Sequence, residues 1–269
     1  MKKLLLLCSV LSLSVLWPGD AIAQLKIGGK KLNTAKLLDA GKDVAKAVTL
    51  SDSDIAQLSR EAVAWMDANN PVADETTEYG ARLKRLTEGI TEVDGLPLNF
   101  KVYKVADVNA FACGDGSIRV FSALMDLMDD DELMAIIGHE IGHVVHADVK
   151  HAMKNAYLSS AARNAAGAAE GSTLAKLSDS QLGEVVTAFT GAQFSQKQEY
   201  AADEYGFEFS VKNGFSPYGM GNSLNKLVEL SKGAKSSTVQ KMFSSHPDSE
   251  KRAARMKEKA DAYTAAQQQ

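Results

Sequence analysis

This sequence of 269 residues contains only two cysteines, five prolines and five histidines. Two cysteines cannot build a disulfide framework, and the scarcity of proline beside abundant alanine favours helices. There is no long basic run and the net charge is only -4, so a nucleic-acid-binding protein is not indicated. No apolar run reaches the ~20 residues that span a membrane. With 45% apolar residues, the chain instead suits a globular domain with a sizeable core.

The first residues have the pattern of a secretory leader. Met1-Lys2-Lys3 is a charged start, residues 4–16 form an apolar stretch, and Ala21-Ile22-Ala23 is an A-x-A cleavage site. An uncleaved membrane anchor is the alternative, but the apolar run is short and Pro18-Gly19-Asp20 interrupts it. We therefore expect residues 1–23 to be a signal peptide and the protein to be exported to the periplasm.

Cleavage of the signal peptide would leave the mature chain with one cysteine. Cys8 would leave with the signal peptide, and a lipid anchor on it is the weaker interpretation because Leu7, not a small residue, precedes it. Cys113 then remains alone and cannot form an internal disulfide. It is either a buried small hydrophobe or an exposed thiol that can pair with another chain.

The most informative stretch is Ile137-Gly138-His139-Glu140-Ile141-Gly142-His143, an HExxH motif in an apolar, helix-periodic segment. On a helix, His139 and His143 lie about one turn apart on one face, where two imidazoles can bind one metal ion. Glu140 beside them can take a proton from a metal-bound water. This is the chemistry of a zinc hydrolase. The alternative, two core histidines on a buried helix, is weaker because the motif rarely arises by chance among five histidines.

Helix signals flank the motif on both sides. Residues 51–54 offer N-caps for a helix through Met66, and a second helix is predicted from residue 74 to about residue 90. The helix of the motif is predicted to begin at residues 129–132 and to continue to about Met153, so that His146 and His151 lie on it, outside the ligand set. Another long helical pattern covers residues 181–213.

A short sheet is predicted directly before the motif. Residues 100–105 and 118–121 alternate between apolar and polar side chains, as half-buried strands do. Gly114-Asp115-Gly116 is a turn signal before the second of these strands. Between the two strands lies Asn109-Ala110-Phe111-Ala112. A mostly helical α+β protein follows, with a small sheet beside the HExxH helix.

A catalytic zinc ion commonly has two histidine ligands, one glutamate ligand and an open position. Glu199 and Asp203 lie four residues apart in a helical pattern and therefore share a face. Glu199 is the best candidate for the third ligand, and Asp203 could then hydrogen-bond to a ligand imidazole and orient it. A solvated acidic stripe explains the same pair equally well, so the residues alone leave both interpretations open.

The motif and the acidic pair belong to an ordered set of segments: residues 107–112, 116–120, 137–143, 194–196 and 199–203, and Ser245-His246-Pro247 followed by Arg252. Taken together, these segments resemble metallopeptidase family forty-eight over roughly residues 75–255. The resemblance implies a zincin-like (gluzincin) fold, one Zn2+ per chain on His139, His143 and Glu199, and Glu140 as the catalytic acid and base.

The resemblance also places the loop around His246 near the active-site cleft. There His246 would either donate a hydrogen bond to the oxyanion of the scissile carbonyl or bind the open zinc position and keep the enzyme latent. A solvated, dispensable loop histidine is the third possibility. Arg252, on the helix that follows, is a candidate for the oxyanion site or for a contact behind the metal ligands. Asp148 departs from the family, since many relatives carry a histidine at this position, five residues after the second ligand.

An extended substrate would pair with a sheet edge, which binds a polypeptide without demanding a particular sequence. The resemblance favours such an edge over an ordinary buried strand for four candidate substrate-binding residues. These are Asn109, Ala110, Phe111 and Ala112.

We therefore expect a zinc-dependent endopeptidase that hydrolyses misfolded or unassembled cell-envelope proteins. The metallopeptidase domain would cover residues 51–269, after an N-terminal arm at residues 24–50. Polypeptides are the expected substrates, an outer-membrane or other envelope protein is a candidate partner, and no nucleic acid is expected. The alternative is a periplasmic chaperone or assembly factor with a structural or latent zinc site, which four protein ligands on the metal would favour over an open position.

Overall fold

The computed structural model describes residues 26–27, 30–31, 50–164, 177–233, 245–247 and 249–268. The predicted signal peptide and nearly all of the predicted N-terminal arm lie outside these residues. The expected mostly helical α+β fold is confirmed, with nine helices and seven short strands in the described part. Among these helices, none combines the length and the apolar character that a membrane crossing requires.

The helices are α1 Asp52–Asn69, α2 Glu78–Leu86, α3 Ser122–Leu127, α4 Asp130–Val145, α5 Asp148–Asn164, α6 Asp179–Thr190, α7 Gln196–Lys212, α8 Gly219–Gly233 and α9 Ser249–Gln267. The strands are β1 Lys26–Ile27, β2 Lys30–Lys31, β3 Glu92–Val93, β4 Leu96–Pro97, β5 Asn99–Tyr103, β6 Ala110–Ala112 and β7 Ser117–Phe121.

The largest sheet has three strands in the order β5-β7-β6. The central strand β7 pairs in parallel with β5 and antiparallel with β6, with Ala110 opposite Val120. The tight return from β6 to β7 needs a glycine, because Gly116 has a φ of 84° and a side chain there would collide with the Pro97 carbonyl. The predicted strands are therefore confirmed, and β6 is an edge strand of this sheet.

Helix α4 packs against α7 at unusually short range. The two helices meet at Gly138 and Gly142 of α4 and Gly206 of α7, where an added Cβ would come within about 3 Å of backbone atoms of the facing helix. Three residues without side chains thus let the two backbones approach closely. As a consequence, the residues of α7 one and two turns before Gly206 lie directly against the HExxH motif.

The predicted continuation of the HExxH helix to Met153 is wrong. Helix α4 ends at Val145 with His146 as its C-cap, and Ala147 adopts the left-handed conformation with a φ of 60°. A new helix begins at Asp148. Apolar periodicity continues through this segment, so the break depends on one unusual backbone conformation that the pattern does not reveal.

The single helix expected over residues 181–213 is also wrong, because two helices occupy it. Helix α6 ends at Thr190 with Gly191 as its C-cap. Ser195 is the N-cap of α7 and forms a capping box, in which its hydroxyl and the Gln198 side chain each accept a hydrogen bond from the other residue's backbone N–H. The helix expected over residues 74–90 is shorter, because Thr77 caps its start and it ends at Leu86.

The main core lies between α1, the three-stranded sheet and α4. Cys113 follows β6 and is completely buried in it. Burial holds the pKa of its thiol well above the usual value, so this cysteine packs as a small hydrophobe and presents no reactive surface thiolate.

Candidate metal centre

Four side chains from three parts of the fold lie close together beside α4. His139 and His143 project from α4, Glu199 from the first turn of α7, and His246 from the segment before α9. One nitrogen or oxygen atom of each lies within 4.8 Å of the corresponding atoms of the other three, and all four residues are buried. The structure therefore brings together the three predicted ligands and His246.

The distances within this cluster match the spacing of ligands around one small ion. The Nε2 atoms of His139 and His143 are 3.1 Å apart, and the Glu199 carboxylate lies 3.4 Å from His143 Nε2 and 3.8 Å from His139 Nε2. Two nitrogens bound to one tetrahedral zinc ion at 2.0–2.1 Å would be about 3.3 Å apart. The side chains fit a zinc ion without rearrangement of the helices.

The other nitrogen of each imidazole is held by a carboxylate. His139 Nδ1 donates to Asp203 over 2.9 Å, and His143 Nδ1 donates to Asp148 over 2.9 Å. A neutral imidazole that donates at Nδ1 presents a lone pair at Nε2, so the two Nε2 lone pairs face each other. A proton or a metal ion has to lie between them, which is the arrangement that carboxylate-supported metal ligands provide.

The pKa values of the two histidines move apart. Burial lowers the pKa of His139. Burial alone would also lower the pKa of His143, but hydrogen bonds with Asp148 and Glu199 raise it to about 9. A metal ion that binds both imidazoles has to displace the proton of His143.

The charges around the cluster favour a divalent cation. Burial would raise the pKa values of three carboxyl groups, but cationic or hydrogen-bonding neighbours lower all three, so they are ionised: Asp148, Glu199 and Asp203. The buried guanidinium of Arg252 offsets one of these charges. With neutral imidazoles, these four groups leave an excess of two negative charges in a buried site, which a divalent ion would neutralise.

Arg252 contacts two carboxylates of the site and the segment around His246. Its Nε and one terminal nitrogen contact both oxygens of Asp203 at 2.7 and 2.6 Å, and its other terminal nitrogen pairs with Glu199. The same nitrogen lies 3.5 Å from the carbonyl oxygens of His246 and Pro247. Arg252 therefore holds the candidate third ligand, the acceptor of His139 and the His246 segment in one arrangement.

Asp148 is the site residue that the sequence reasoning missed. Because Ala147 reverses the chain after α4, the Asp148 carboxylate turns back to His143, and its second oxygen accepts a hydrogen bond of 2.6 Å from Gln198. The available signal was its position, because a carboxylate five residues after His143 can reach back to that imidazole. His146 and His151 are exposed and take no part in the cluster, as predicted.

Glu140 lies next to the cluster on α4. Its Oε1 atom is buried without a hydrogen-bond partner and is 3.8 Å from His246 Nε2. The opposite ring nitrogen of His246 lies 3.0 Å from Glu199 and 3.4 Å from His139 Nε2. His246 thus stands between the candidate base and the candidate ligands, while Phe194 stacks on His143 with ring centroids 4.1 Å apart.

The four predicted substrate-binding residues lie at one edge of the sheet. Ala110, Phe111 and Ala112 form β6, which packs against α4, and their side chains are buried together with Asn109. The Oδ1 atom of Asn109 is buried without a partner in the described part of the chain.

The sequence model of peptidase family M48 matches residues 79–260 of this chain, which include every residue of the cluster. This chain belongs to peptidase family M48. Two metalloproteases of Escherichia coli K12 are similar to it over most of both chains. LoiP is 39% identical over 243 residues, which is 90% of this chain and 94% of LoiP, and YcaL is 37% identical over 229 residues, covering 85% and 88%. The beta-barrel assembly-enhancing protease of the same organism is 30% identical over 175 residues, which is 61% of this chain and 35% of that protein.

Membership of family M48 and the similarity to two metalloproteases identify the chain as a metalloendopeptidase whose substrates are polypeptides. The expected zincin-like fold of family M48 is confirmed by the helical architecture around the HExxH helix and its candidate metal cluster.

Proposed function

We propose that the metal is zinc, one ion per chain, held by His139, His143 and Glu199, and that Glu140 is the catalytic base. The donor set supports this, because two imidazoles and one carboxylate are the ligands of many catalytic zinc sites. When bound, the ion would polarise the scissile carbonyl and make a water molecule more acidic. Glu140 would accept the proton of that water at Oε1 and pass it to the leaving amine.

One observation carries the assignment of Glu140. Its Oε1 atom is the only carboxylate oxygen of the described part that is buried without a hydrogen-bond partner. Leaving a buried polar atom unpaired costs about 1–3 kcal/mol. An oxygen reserved for a water molecule during the reaction accounts for this cost.

Two neighbours would support the ligands without binding the ion. Asp203 and Asp148 would hold His139 and His143 in the orientation that presents Nε2, as their hydrogen bonds of 2.9 Å suggest. Arg252 would fix Asp203 and Glu199. Its donors contact these carboxylates and the His246 segment, so we propose that it acts behind the ligands and not at the oxyanion.

The substrate would bind as an added strand at β6. The edge position of this strand and its packing against α4 support the role proposed for Asn109, Ala110, Phe111 and Ala112. Backbone hydrogen bonds to an edge strand require an extended chain, which an unfolded or unassembled protein offers.

We also propose that His246 holds the enzyme latent. With Nδ1 3.0 Å from Glu199 and 3.4 Å from His139 Nε2, His246 stands where it could be a fourth ligand and exclude the attacking water. The second candidate function, a chaperone or assembly factor with a closed zinc site, gains support from the same contacts. In the oxyanion role, His246 would first have to leave Glu199.

The cellular setting is a further proposal. The leader-like pattern of residues 1–23 supports export to the periplasm. The similarity to a beta-barrel assembly-enhancing protease supports a role in the quality control of misfolded or unassembled envelope proteins, with an envelope protein as partner.

Casein digestion by wild type and Glu140→Gln, with zinc measured by mass spectrometry, tests the proposal. Glu140→Gln should retain one zinc ion per chain and lose proteolysis, because the amide cannot act as a base but the three ligands remain. Glu199→Ala should lose both zinc and proteolysis, because one of the three ligands is removed. If zinc-loaded wild type digests nothing and zinc-loaded His246→Ala also digests nothing, the result would favour the chaperone function instead.

A further inference from the structure

A groove runs along one face of α5. Residues at helical spacing line one side of it, from Asp148 in the first turn of α5 to Ser159. The end of α6 and the segment that leads to α7 form the other side, with Ala188, Ala192 and Phe194. The free space amounts to ≈ 370 Å³, within the range of about 300–1,000 Å³ that ligand sites occupy. Because a helix rises about 1.5 Å per residue, the groove is about 16 Å long, the length of about five extended residues.

One end of the groove contacts the groups that hold His143. Phe194 stacks on the His143 ring with centroids 4.1 Å apart, and Asp148 accepts the hydrogen bond of His143 Nδ1. The proposed substrate strand lies beside the same wall, because the ring of Phe111 in β6 is 6.4 Å from the ring of Phe189. Phe189 belongs to the last turn of α6, which also contributes to the groove. A polypeptide that follows β6 past the metal centre would therefore lie next to the groove.

The groove combines small side chains with uncharged amides. The side-chain amides of Asn155 and Gln193 are exposed at its rim and form no hydrogen bond with the rest of the described chain. A primary amide both donates and accepts hydrogen bonds, as a peptide group does. Four alanines lie between the rims, and because their side chains end at Cβ a peptide backbone can approach them closely: Ala152, Ala156, Ala188 and Ala192.

A charged ligand finds few partners in this groove. Asp148 is the one carboxylate in the described lining, and its two oxygens already accept hydrogen bonds from His143 and Gln198. His151 is the other ionisable lining residue, and because it is exposed, water screens its interactions. An uncharged polypeptide backbone therefore fits these groups better than a phosphate or a metal ion does.

We propose that this groove is a second binding site for the polypeptide substrate and holds about five residues of an extended chain to one side of the scissile bond. The inference rests on the proposed function of the metal centre. Hydrogen bonds from Asn155 and Gln193 to a backbone do not depend on its sequence, so the groove would favour long unfolded chains over short peptides. Because Glu140 does not line it, the groove would lower KM and leave kcat unchanged.

Two variants change the groove and leave the metal ligands in place. Ala188→Trp puts a large ring into the groove, and the double variant Asn155→Ala with Gln193→Ala removes the free amides. Thr187→Trp is the matched control, because Thr187 is the preceding residue of α6, is exposed and does not line the groove. Zinc content and melting temperature identify a variant that fails to fold. The double variant changes only exposed side chains, so it carries the test if Ala188→Trp does not fold.

The experiment starts from a bond that wild type cleaves in unfolded casein, identified by mass spectrometry. A hexapeptide around this bond is compared with two peptides that extend it by about eight residues on one side or on the other, enough to cross the groove. In wild type one extension should lower KM about tenfold, the effect of two hydrogen bonds to a backbone, with kcat unchanged. The groove variants should lose this advantage of the longer peptide, and Thr187→Trp should keep it. Equal KM values of wild type for all three peptides, or an advantage that the folded groove variants retain, would overturn the proposal.

A binding measurement separates failure of the groove proposal from failure of the proposed function. If zinc-loaded wild type and zinc-loaded His246→Ala digest nothing, the protease function fails, and affinity alone then judges the groove. Fluorescently labelled, unfolded casein is titrated with Glu140→Gln and with Glu140→Gln that also carries Ala188→Trp or Thr187→Trp. An affinity that falls about tenfold with Ala188→Trp, but not with Thr187→Trp, supports the groove. Equal affinities of the three proteins would overturn it.

Discussion

Gly206 of α7 lies directly against the backbone of His139. A Cβ atom at Gly206 would come within 2.8 Å of the His139 amide nitrogen and of the Ala135 carbonyl oxygen. Because helix backbones cannot yield locally, Gly206→Ala should push α7 away from α4, destabilise the protein by about 1–3 kcal/mol and weaken zinc binding through the displaced Glu199. Urea unfolding and zinc titration of the variant check this.

Gly183→Ala is the control for this prediction. The three atoms nearest to its added Cβ all belong to the ring of Trp65, the closest at 3.3 Å, and none to the metal cluster. A side chain can move where a backbone cannot, and alanine is the better helix former. Gly183→Ala should therefore keep wild-type zinc affinity. If Gly206→Ala also keeps it, the close approach of α4 and α7 does not determine the position of Glu199.

Asp148 should matter for metal binding although it is not proposed as a ligand. Asp148→Ala removes the acceptor of His143 Nδ1 and frees the imidazole to rotate, so zinc affinity should fall by about 10–100-fold. Competition with a zinc chelator at constant pH measures this. Asp179→Ala, which changes an exposed carboxylate at the start of α6, is the comparison. Equal zinc affinities of the two variants would contradict the role of Asp148.

Replacement of His246 distinguishes the two roles that the sequence leaves open. His246→Ala removes the nitrogen that lies 3.0 Å from Glu199, so a latent enzyme should become severalfold more active on casein. An oxyanion donor would give the opposite result, a fall of about a hundredfold or more in turnover. His151→Ala, at an exposed histidine outside the cluster, should behave like wild type. Unchanged turnover and zinc affinity in His246→Ala would exclude both roles.

Asp67 of α1 is a stability centre away from the metal. It accepts hydrogen bonds from the buried Arg119, from Lys101 and from Tyr103. Burial would raise the pKa of Asp67, but these bonds lower it below the usual value. The stabilisation is therefore complete above the unfolded pKa of about 3.9 and is lost as the pH falls through the lower folded pKa.

Asp67→Asn should lower the unfolding free energy by about 3–5 kcal/mol at pH 7, because Arg119 stays buried without its counterion. The difference from wild type should shrink as the pH falls from 5 to 2. Urea unfolding across this range measures both effects. Asp261→Asn breaks an exposed pair with Lys257 and should change little at any pH. A difference that is constant with pH would show that the charge of Asp67 is not the cause.

Local chemical signals predicted the elements that depend on near neighbours. Ser51 caps α1 through a capping box, and the turn at Gly116 returns β6 to β7, as the sequence indicates. Asp94-Gly95, a dipeptide typical of tight hairpins, likewise joins β3 to β4 with both residues at positive φ. Such features could be predicted because a few adjacent residues determine them.

Other features depend on residues far apart in the chain and could not be read from a pattern. The left-handed Ala147 has no side-chain signature, and helical periodicity runs on across it. Arg252 pairs with Asp203 across 49 residues, and His246 meets Glu199 across 47. Amphipathic periodicity indicates which side of a helix is buried, not which distant charge faces it. The family resemblance indicated that His246 and Arg252 lie near the site, but it did not name the carboxylates that they contact.

The two carboxylates that accept hydrogen bonds from the site imidazoles, Asp148 and Asp203, can form these bonds at different stages of folding. Asp148 follows His143 by five residues, whereas Asp203 follows His139 by 64. Closing the longer loop costs about 2 kcal/mol more, at ~0.6 kcal/mol for each doubling of length. The His143–Asp148 half can thus form as soon as α4 and the turn after it exist. The docking of α7 completes the site later, so metal removal should loosen the C-terminal helices before the sheet and α4.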